Sequence, residues 1–326
     1  MKITYAEGIR LGFEYLLENY KDVFVIGQGV WSPWYVGSSM EGLDKKFGRE
    51  RVVDTPVSEN AVTGLCVGAA LNGMRPICVH PRMDFAVLCL DQLVNEAAKW
   101  RHMFGGQVKV PMVARLIINR GGEQGAQHSQ ALQSWLAHIP GLRVVMPSTP
   151  NDARDLLISA TLCDDPVVYI DDRWLYEQQE GAKPIQIYSL SKEVPKCIHE
   201  GTDITLVGSG YTSLLCKNAC EKLKDTILCD VFDLRMLNPM NLLPIFESVG
   251  RTGRLLVTDG GWPSCGVASE VITQVVERLH DVSALKCAPQ RITLKNAPAP
   301  TSRYLEQMYY PNVDDVCKMI LDMVKK

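Results

Sequence analysis

The sequence predicts an α/β fold made of two parallel-sheet α/β domains. Short apolar segments of strand length alternate with longer amphipathic segments of helix length over most of the 326 residues. Residues 172–202 interrupt this alternation with polar and charged side chains and with Pro184 and Pro195. The chain is also longer than one ordinary small domain. We therefore expect a first domain at 1–180, a linker at 181–202 and a second domain at 203–326.

Composition argues for a globular protein that binds neither nucleic acid nor membranes. The apolar fraction is 46%, the charged fraction is 22% and the formal net charge is -3, without a basic run. No window approaches ~18 uninterrupted apolar residues, the length of a membrane span. Glu7 and Glu14 lie in an amphipathic helical pattern that a signal peptide would not carry. The 11 cysteines include no CxxC pair, which is typical of reduced thiols, so we expect a cytoplasmic protein.

A helix and two strands are expected at the start of the chain. Apolar residues at helical spacing predict a helix at 5–19, and apolar runs predict strands at 23–26 and 52–53. The loop between these strands is rich in aromatic side chains: Trp31, Trp34 and Tyr35. This density fits an interface or a ligand wall, and equally a loop packed on its own domain.

Residues 52–73 are the stretch around which the rest of the chain is organised. Residues 54–56 break the strand, and Ser58 can cap a helix whose first residue is Glu59. Small residues give this helix a face that another backbone or a ring can approach closely: Ala61, Leu65, Gly68 and Ala69. Glu59 fits an ordinary helix-start acid, and it also fits a carboxylate that exchanges a proton with a bound ring nitrogen.

Further strands and helices after residue 75 complete a parallel sheet in the first domain. We expect strands at 75–79, 111–118, 142–146 and 166–170, and helices at 86–104 and 151–162. A Gly-rich loop at 119–130 contains His128. Such a loop lets the backbone approach a ligand and presents one imidazole, but a surface loop with an incidental histidine has the same pattern.

The alternation of strands and helices restarts in the second domain. We expect strands at 203–208, 228–232 and 254–258, and helices at 213–224 and 313–324. The segment DGGWPSCG at 259–266 leads into another helix, which ends at Arg278. Strands and helices in this order again indicate a parallel α/β sheet.

Several motifs along the whole chain resemble those of a known family. They are DTPVSE (54–59), VGAALNGMRPIC (67–78), LDQLVNEAAK (90–99), VPMVAR (110–115), GAQHSQ (125–130), PGLRVVMPSTPNDARDLL (140–157), LRMLNPMNL (234–242) and VTDGGWPSCGVASE (257–270). In length and motif order the chain resembles the beta subunit of the thiamine diphosphate-dependent decarboxylating component of 2-oxo acid dehydrogenase complexes, in the transketolase-like superfamily. The resemblance implies a pyrimidine-binding α/β domain followed by a transketolase C-terminal-like domain.

The same resemblance implies roles for individual residues. Glu59 matches the family's activating acid, which hydrogen-bonds a pyrimidine nitrogen so that the cofactor's amino group can take the thiazolium proton. His128 matches the active-site histidine, which stabilises or protonates intermediates. Phe85 and Val57 match residues beside the pyrimidine, although Val57 fits a core position equally. Gln28 stands in the cofactor pocket, where the family usually has an acid.

The resemblance also implies partners and ions. The superfamily holds the cofactor's diphosphate through magnesium with Gly-Asp-Gly and a downstream Asn, and this chain has no such sequence. An alpha subunit would supply it in an α2β2 assembly. Self-association of beta subunits and a lipoyl acyltransferase core are the other implied partners. A match to a potassium-binding turn of some relatives falls on the main-chain carbonyls of Ala160, Cys163 and Asp165.

Departures from the family pattern at Gln28, Arg82 and Met83 indicate a specialised member. We interpret the chain as a subunit of an enzyme that decarboxylates a 2-oxo acid and passes the acyl or aldehyde unit to an acceptor. The acceptor is a lipoyl group in an orthodox member, and an aldehyde, a ketone or a proton in a specialised one. Two alternatives stay open: the C-terminal half of a split transketolase-like ketol transferase, and a degenerate, non-catalytic partner subunit.

Overall fold

The computed structural model describes residues 1–32, 34–279 and 282–325. The chain separates into two compact units: Met1–Arg120 with Trp135–Lys192 (unit 1), and Gly121–Ser134 with Glu193–Lys326 (unit 2). This division differs from the expected one at the Gly-rich loop, which groups with unit 2 because its contacts are with that unit.

The first part of the chain contains most of the helices and strands expected for a parallel α/β domain. They are β1 (Lys2–Thr4), α1 (Tyr5–Asn19), β2 (Val23–Gly27), α2 (Leu43–Phe47), β3 (Val52–Asp54), α3 (Glu59–Leu71), β4 (Arg75–His80), α4 (Ala98–Met103), β5 (Val113–Ile118), α5 (Gln133–Ala137), β6 (Arg143–Met146), α6 (Pro150–Leu162), β7 (Val167–Asp172) and β8 (Gln179–Gly181). A 3-10 helix at Met83–Cys89 and a π-helix at Gln92–Ala97 lie between β4 and α4.

Unit 1 is organised on a parallel sheet with the strand order β6-β7-β5-β4-β2-β3. Every residue of the central strands β5 and β7 is buried, as expected for a parallel sheet that is covered on both faces. Helices α1 and α6 pack together. Their close approach requires Gly8, since a Cβ there would lie 2.2 Å from the carbonyl oxygen of Pro150. Strands β1 and β8 form a separate antiparallel pair.

The second part of the chain forms a smaller α/β unit. Its elements are β9 (Lys196–His199), β10 (Ile204–Gly208), α7 (Tyr211–Leu223), β11 (Cys229–Asp233), β12 (Arg235–Asn238), α8 (Leu243–Thr252), β13 (Leu255–Thr258), α9 (Val267–Arg278), β14 (Gln290–Ile292), α10 (Arg303–Tyr309) and α11 (Val313–Val324). Its sheet has the order β14-β13-β10-β11-β9, and only β9 is antiparallel to its neighbour among these described strands. Apolar side chains of α7 and α11 pack on this sheet and form the core.

Two sequence expectations about elements need correction. The helix expected at 86–104 begins at Met83 and is divided into the 3-10 helix, the π-helix and α4. Neither Gly nor Pro marks these divisions, so residue propensity could not reveal them. Strand β9 lies inside the expected linker, because an antiparallel edge strand of four residues leaves little apolar pattern.

Candidate active site

A cleft lies in unit 1 at the carboxyl ends of β2 and β4 and at the N-terminus of α3. It is shallow and open to solvent, and the empty space of about 180 Å³ at its mouth includes part of that solvent. The residues that line it are Gly27, Gln28, Thr55, Pro56, Ser58, Glu59, Val62, Val79 and His80. The carboxyl ends of parallel strands are where open α/β sheets bind their ligands. Two of the predicted cofactor-site residues, Gln28 and Glu59, therefore line one cleft.

The Glu59 side chain is buried, and no described residue donates a hydrogen bond to it. It is the first residue of α3, as the sequence predicts, and it is only 7% exposed. Within the described part of the chain, nothing donates a hydrogen bond to its carboxylate. A buried carboxylate without a donor is costly, and the N-terminus of α3 offsets only part of that cost. A ligand with a ring nitrogen could supply a partner, because such a nitrogen accepts from a protonated carboxyl group or, when protonated itself, donates to a carboxylate.

The expected cap of this helix is wrong in its detail. Ser58 occupies the N-cap position, but its side chain accepts no hydrogen bond from the first turn. The Ser58 hydroxyl instead lies 3.4 Å from the side-chain oxygen of Asn60, and that oxygen accepts the Ala61 N–H at 2.8 Å. The Asn60 side chain thus accepts one N–H of the first turn, and the Glu59 side chain lines the cleft.

Other polar groups shape the wall beside Glu59. The hydroxyl oxygen of Thr55 is buried and has no hydrogen-bond partner among the described residues. The Asp54 carboxylate accepts the N–H groups of Gly29 at 2.6 Å and Thr55 at 3.0 Å, which fixes the turns after β2 and β3. Glycine is required at position 27, at the end of β2, because a Cβ there would lie only 2.3 Å from the Val79 carbonyl oxygen.

His80 is a cleft residue that the sequence reasoning missed. It ends β4, is 3% exposed and lines the cleft. Its Nε2 lies 3.1 Å from the hydroxyl of Thr63, 3.3 Å from Cys78 Sγ and 3.9 Å from Cys89 Sγ. In the sequence, His80 begins the segment HPRMDF (80–85), which contains the departures from the family pattern at Arg82 and Met83.

Val57 and Phe85 lie outside this wall. Neither is among the described residues that line the cleft. Val57 is 72% exposed and lies between Pro56 and Ser58, which do line it. Phe85 is half-buried in the 3-10 helix. Contact of either side chain with a bound ring stays a prediction.

His128 lies in the Gly-rich segment that belongs to unit 2, whereas Glu59 belongs to unit 1. This segment is anchored inside unit 2 at both ends. The Glu306 carboxylate accepts the Glu123 N–H at 3.0 Å and 3.1 Å, and Gln133 donates to Asp259 at 2.9 Å. His128 is half-buried between these anchors. Its side chain is thus presented from a fixed loop, as a catalytic imidazole requires, but its role stays a prediction.

Asp259 has a structural function in unit 2. It is 1% exposed and accepts hydrogen bonds from Gly261 N–H at 2.9 Å and from Ala268 N–H, in the first turn of α9, at 3.2 Å. With the Gln133 contact, these bonds use both carboxylate oxygens. The sequence Asp259-Gly260-Gly261 is therefore a loop and helix anchor.

The carbonyl turn predicted for potassium is already in contact with a cation. Arg75 Nη1 donates to the carbonyl oxygens of Thr161 and Cys163 at 3.0 Å each. The Ala160 carbonyl accepts the Cys163 N–H at 3.3 Å, and the Asp165 side chain pairs with Arg143 at 2.7 Å. A potassium ion would compete with Arg75 here, so this site stays a prediction.

The described residues contain neither a metal-binding cluster nor a membrane-spanning helix. No cluster of three or more His, Cys, Asp or Glu side chains in residues 1–32, 34–279 and 282–325 could hold a metal ion. No helix within these ranges is long and apolar enough to span a membrane.

Comparison with known proteins identifies two domains and a set of relatives. The pyrimidine binding domain of transketolase matches residues 1–178, and the transketolase C-terminal domain matches residues 195–316. The beta subunit of acetoin:2,6-dichlorophenolindophenol oxidoreductase from Cupriavidus necator is 38% identical over 85% of this chain and 81% of that protein. The beta subunit of the pyruvate dehydrogenase E1 component is 36% identical in Rhizobium meliloti, over 96% of this chain and 68% of that protein. The same subunit from Bos taurus is 34% identical over 97% of this chain and 89% of that protein.

Solved structures confirm the predicted fold class. A structure described as a split gene transketolase, inactive beta4 tetramer, superposes with a TM-score of 0.79 over 99% of this chain and 98% of that one, at 17% identity. Transketolase from Campylobacter jejuni superposes with a TM-score of 0.70 over 98% of this chain and 47% of that one, at 14% identity. The chain therefore belongs to the transketolase-like family, within the beta subunits of thiamine diphosphate-dependent 2-oxo acid dehydrogenases.

Proposed function

We propose that Glu59 is the group of this beta subunit that activates thiamine diphosphate, and that the cleft at the start of α3 holds the aminopyrimidine ring. The observation that supports this proposal is the 7% exposed Glu59 carboxylate, which has no donor in the described residues and lines a cleft. The buried, unpartnered hydroxyl of Thr55 is a second polar group that the ring could satisfy. These residues fit a flat heterocycle with donors and acceptors on its edge.

The bound cofactor supplies an electron sink for decarboxylation of a 2-oxo acid, which no side chain can provide. The role of this chain is to hold Glu59 where it can exchange one proton with the bound ring. Glu59 lies on a helix start, so its carboxylate is held in one position and can donate or accept a hydrogen bond at a ring nitrogen. Its burial keeps water away from that hydrogen bond, which strengthens it.

We propose that His128 acts later, as the acid or base that serves the reacting unit. The support is its family position and its placement on a segment fixed by Glu306 and Asp259. A fixed segment can hold an imidazole at one place, which general acid–base catalysis requires. The acceptors proposed for the acyl or aldehyde unit are a lipoyl group, an aldehyde, a ketone or a proton.

An alpha subunit would hold the other half of the cofactor. This chain has no Gly-Asp-Gly sequence with a downstream Asn, so magnesium and the diphosphate need residues of a partner. Exposed side chains lie on α3, just before it and on the 3-10 helix that packs against it. We call them the α3 patch and define it as Val57, Ala61, Leu65, Val87 and Leu88. Val57 adjoins residues that line the cleft. A subunit that completes the cofactor site must approach this edge, so we assign the α3 patch to the alpha subunit in an α2β2 assembly.

The proposed compartment is the cytoplasm. Its support is the state of the cysteines, which are free thiols in the structure and mostly buried. The bovine relative is described as mitochondrial.

The substitution Glu59→Gln tests the central proposal. Glutamine keeps the size and a hydrogen bond but cannot take or return a proton. In the complex reconstituted with the alpha subunit, exchange of the thiazolium proton with deuterium should slow by about 10² to 10⁴, or about 3–5 kcal/mol of barrier. The exchange is followed by NMR after acid quench.

The matched control is Glu41→Gln, at an exposed acid of the loop before α2. It should exchange like the wild type. Unchanged exchange in Glu59→Gln, with a stability loss of ~1 kcal/mol or less, would make Glu59 an ordinary helix-start acid and would contradict the proposal.

A further inference from the structure

The contacts of His80 leave one of its ring nitrogens to the cleft. Each hydrogen-bond contact that the described residues make with the ring is on Nε2: Thr63 from α3, Cys78 from β4 and Cys89 from the 3-10 helix. The ring is 3% exposed, and the cleft is the surface that it lines. Nδ1 is therefore the atom that can meet a ligand.

The surroundings of Nε2 determine where the ring carries its proton. The hydroxyl of Thr63 can donate to Nε2, which also lies near the Cys78 thiol, whereas the Cys89 thiol donates to the Ala86 carbonyl. A neutral ring that accepts at Nε2 has its proton on Nδ1. If Cys78 is ionised, the ring is doubly protonated and Nδ1 again carries a proton.

The electrostatics of the cluster favour this second state. Hydrogen bonds from Cys66 first, and also from His80 and Thr63, hold the pKa of the Cys78 thiol well below its usual value despite burial. Burial acts against a charged ring, but the charge and hydrogen bonds of Cys78 and Cys89 outweigh it and raise the pKa of His80 well above its usual value. In both of these states Nδ1, the ring nitrogen without a hydrogen-bond contact in the described residues, carries a proton.

We propose that His80 is a further ligand-contacting residue of this cleft, whose Nδ1–H donates a hydrogen bond to an acceptor atom of the bound aminopyrimidine ring. The inference rests on the proposed function, because that function places the ring in the cleft. Glu59 and His80 line the same cleft, so one ring can meet a carboxylate and an imidazole donor. Thr63, Cys78 and Cys89 hold the imidazole in one orientation, which the ligand then does not have to impose.

Two variants test the donor: one keeps an N–H but is smaller than histidine, and the other is close to histidine in volume but has no donor. His80→Asn places an amide N–H near the position of Nδ1, and His80→Leu fills the space without a donor. In the complex with the alpha subunit, we expect the Kd of thiamine diphosphate, measured by calorimetry, to rise about tenfold in His80→Leu and less than about threefold in His80→Asn. Equal Kd values for the two variants, at or away from the wild-type value, would overturn the proposal.

A second measurement does not depend on the cofactor. NMR of the isolated 326-residue chain, with ¹⁵N-labelled histidine, reports which ring nitrogen is protonated, and His80→Asn assigns the signal. We expect a protonated Nδ1, and an unprotonated Nδ1 would overturn the proposal. A wild-type complex that binds no thiamine diphosphate would contradict the proposed function instead, and the NMR result would still decide whether His80 offers a donor.

Discussion

We propose that His128 serves a later step of the reaction than Glu59. Its loop is tied to Glu306 and Asp259 within unit 2. We expect His128→Ala to lower turnover of the reconstituted complex by about 10²-fold or more, the scale of lost general acid–base help. Cofactor affinity and melting temperature should barely change, because the loop anchors remain.

His138→Ala is the matched control, since His138 is exposed just beyond α5. It should turn over like the wild type. Steady-state assays of both variants with the native 2-oxo acid would decide the matter. Wild-type turnover in His128→Ala would leave His128 an incidental surface histidine.

The residues also differ in how far the sequence reveals them. The helix start at Glu59 was predictable because a strand break and an apolar helix meet there, whereas the role of Glu59 came only from the family resemblance and stays a prediction. His80 was not predictable, because its meaning depends on Thr63 and Cys89, which the fold brings to Nε2 from other elements. Local patterns can identify a residue on a helix start, but not a cluster assembled from three elements.

Among the elements, α3 combines two functions. Its first residue lines the cleft, and its side that carries Ala61 and Leu65 is open. A Cβ on Gly68 would meet no atom within 4 Å, so the space beside Gly68 is open. Helical spacing places these small residues together, and the approach of another backbone or of a ring to this face stays a prediction.

The α3 patch gives a prediction about assembly. Leu65 is 53% exposed, and burial against an alpha subunit would make it part of an interface core. Leu65→Glu puts a charge there, so we expect the complex with the alpha subunit to weaken by about 10²-fold or more. Sedimentation at a fixed subunit ratio measures the loss.

A matched substitution separates an interface from a general effect of charge. Leu228, in unit 2, is 50% exposed, so Leu228→Glu adds the same charge at a similarly exposed position. It should assemble like the wild type, and both variants should keep the wild-type melting temperature. If Leu65→Glu assembles normally, the α3 patch is not the contact with the alpha subunit.

Elements whose signals are not local escaped prediction. The segment 83–104 has no Gly or Pro to indicate its 3-10 and π turns, and its 3-10 helix packs against α3. Strand β9 pairs with β11 by four residues of mixed polarity, a pattern that also fits a linker. Long parallel strands were predictable because each is a continuous apolar run.

At the scale of the whole molecule, the decisive property is what the chain lacks in its sequence. It has the cleft that we propose for a pyrimidine ring, but no Gly-Asp-Gly sequence for magnesium and the diphosphate. The diphosphate and its metal contribute charge-assisted contacts, which are stronger than the neutral contacts of a ring. We therefore expect no tight binding of thiamine diphosphate, and no turnover, by the purified chain alone.

Calorimetric titration of the isolated chain with thiamine diphosphate and magnesium checks this expectation, with the reconstituted complex as the positive control. The isolated chain should bind with a Kd of ~1 mM or weaker, about −4 kcal/mol, because a few ring contacts and no diphosphate anchor remain. The complex should bind at least ~10²-fold more tightly. Micromolar binding by the isolated chain would show that it holds the diphosphate itself, and the division of the cofactor site between two subunits would then be wrong.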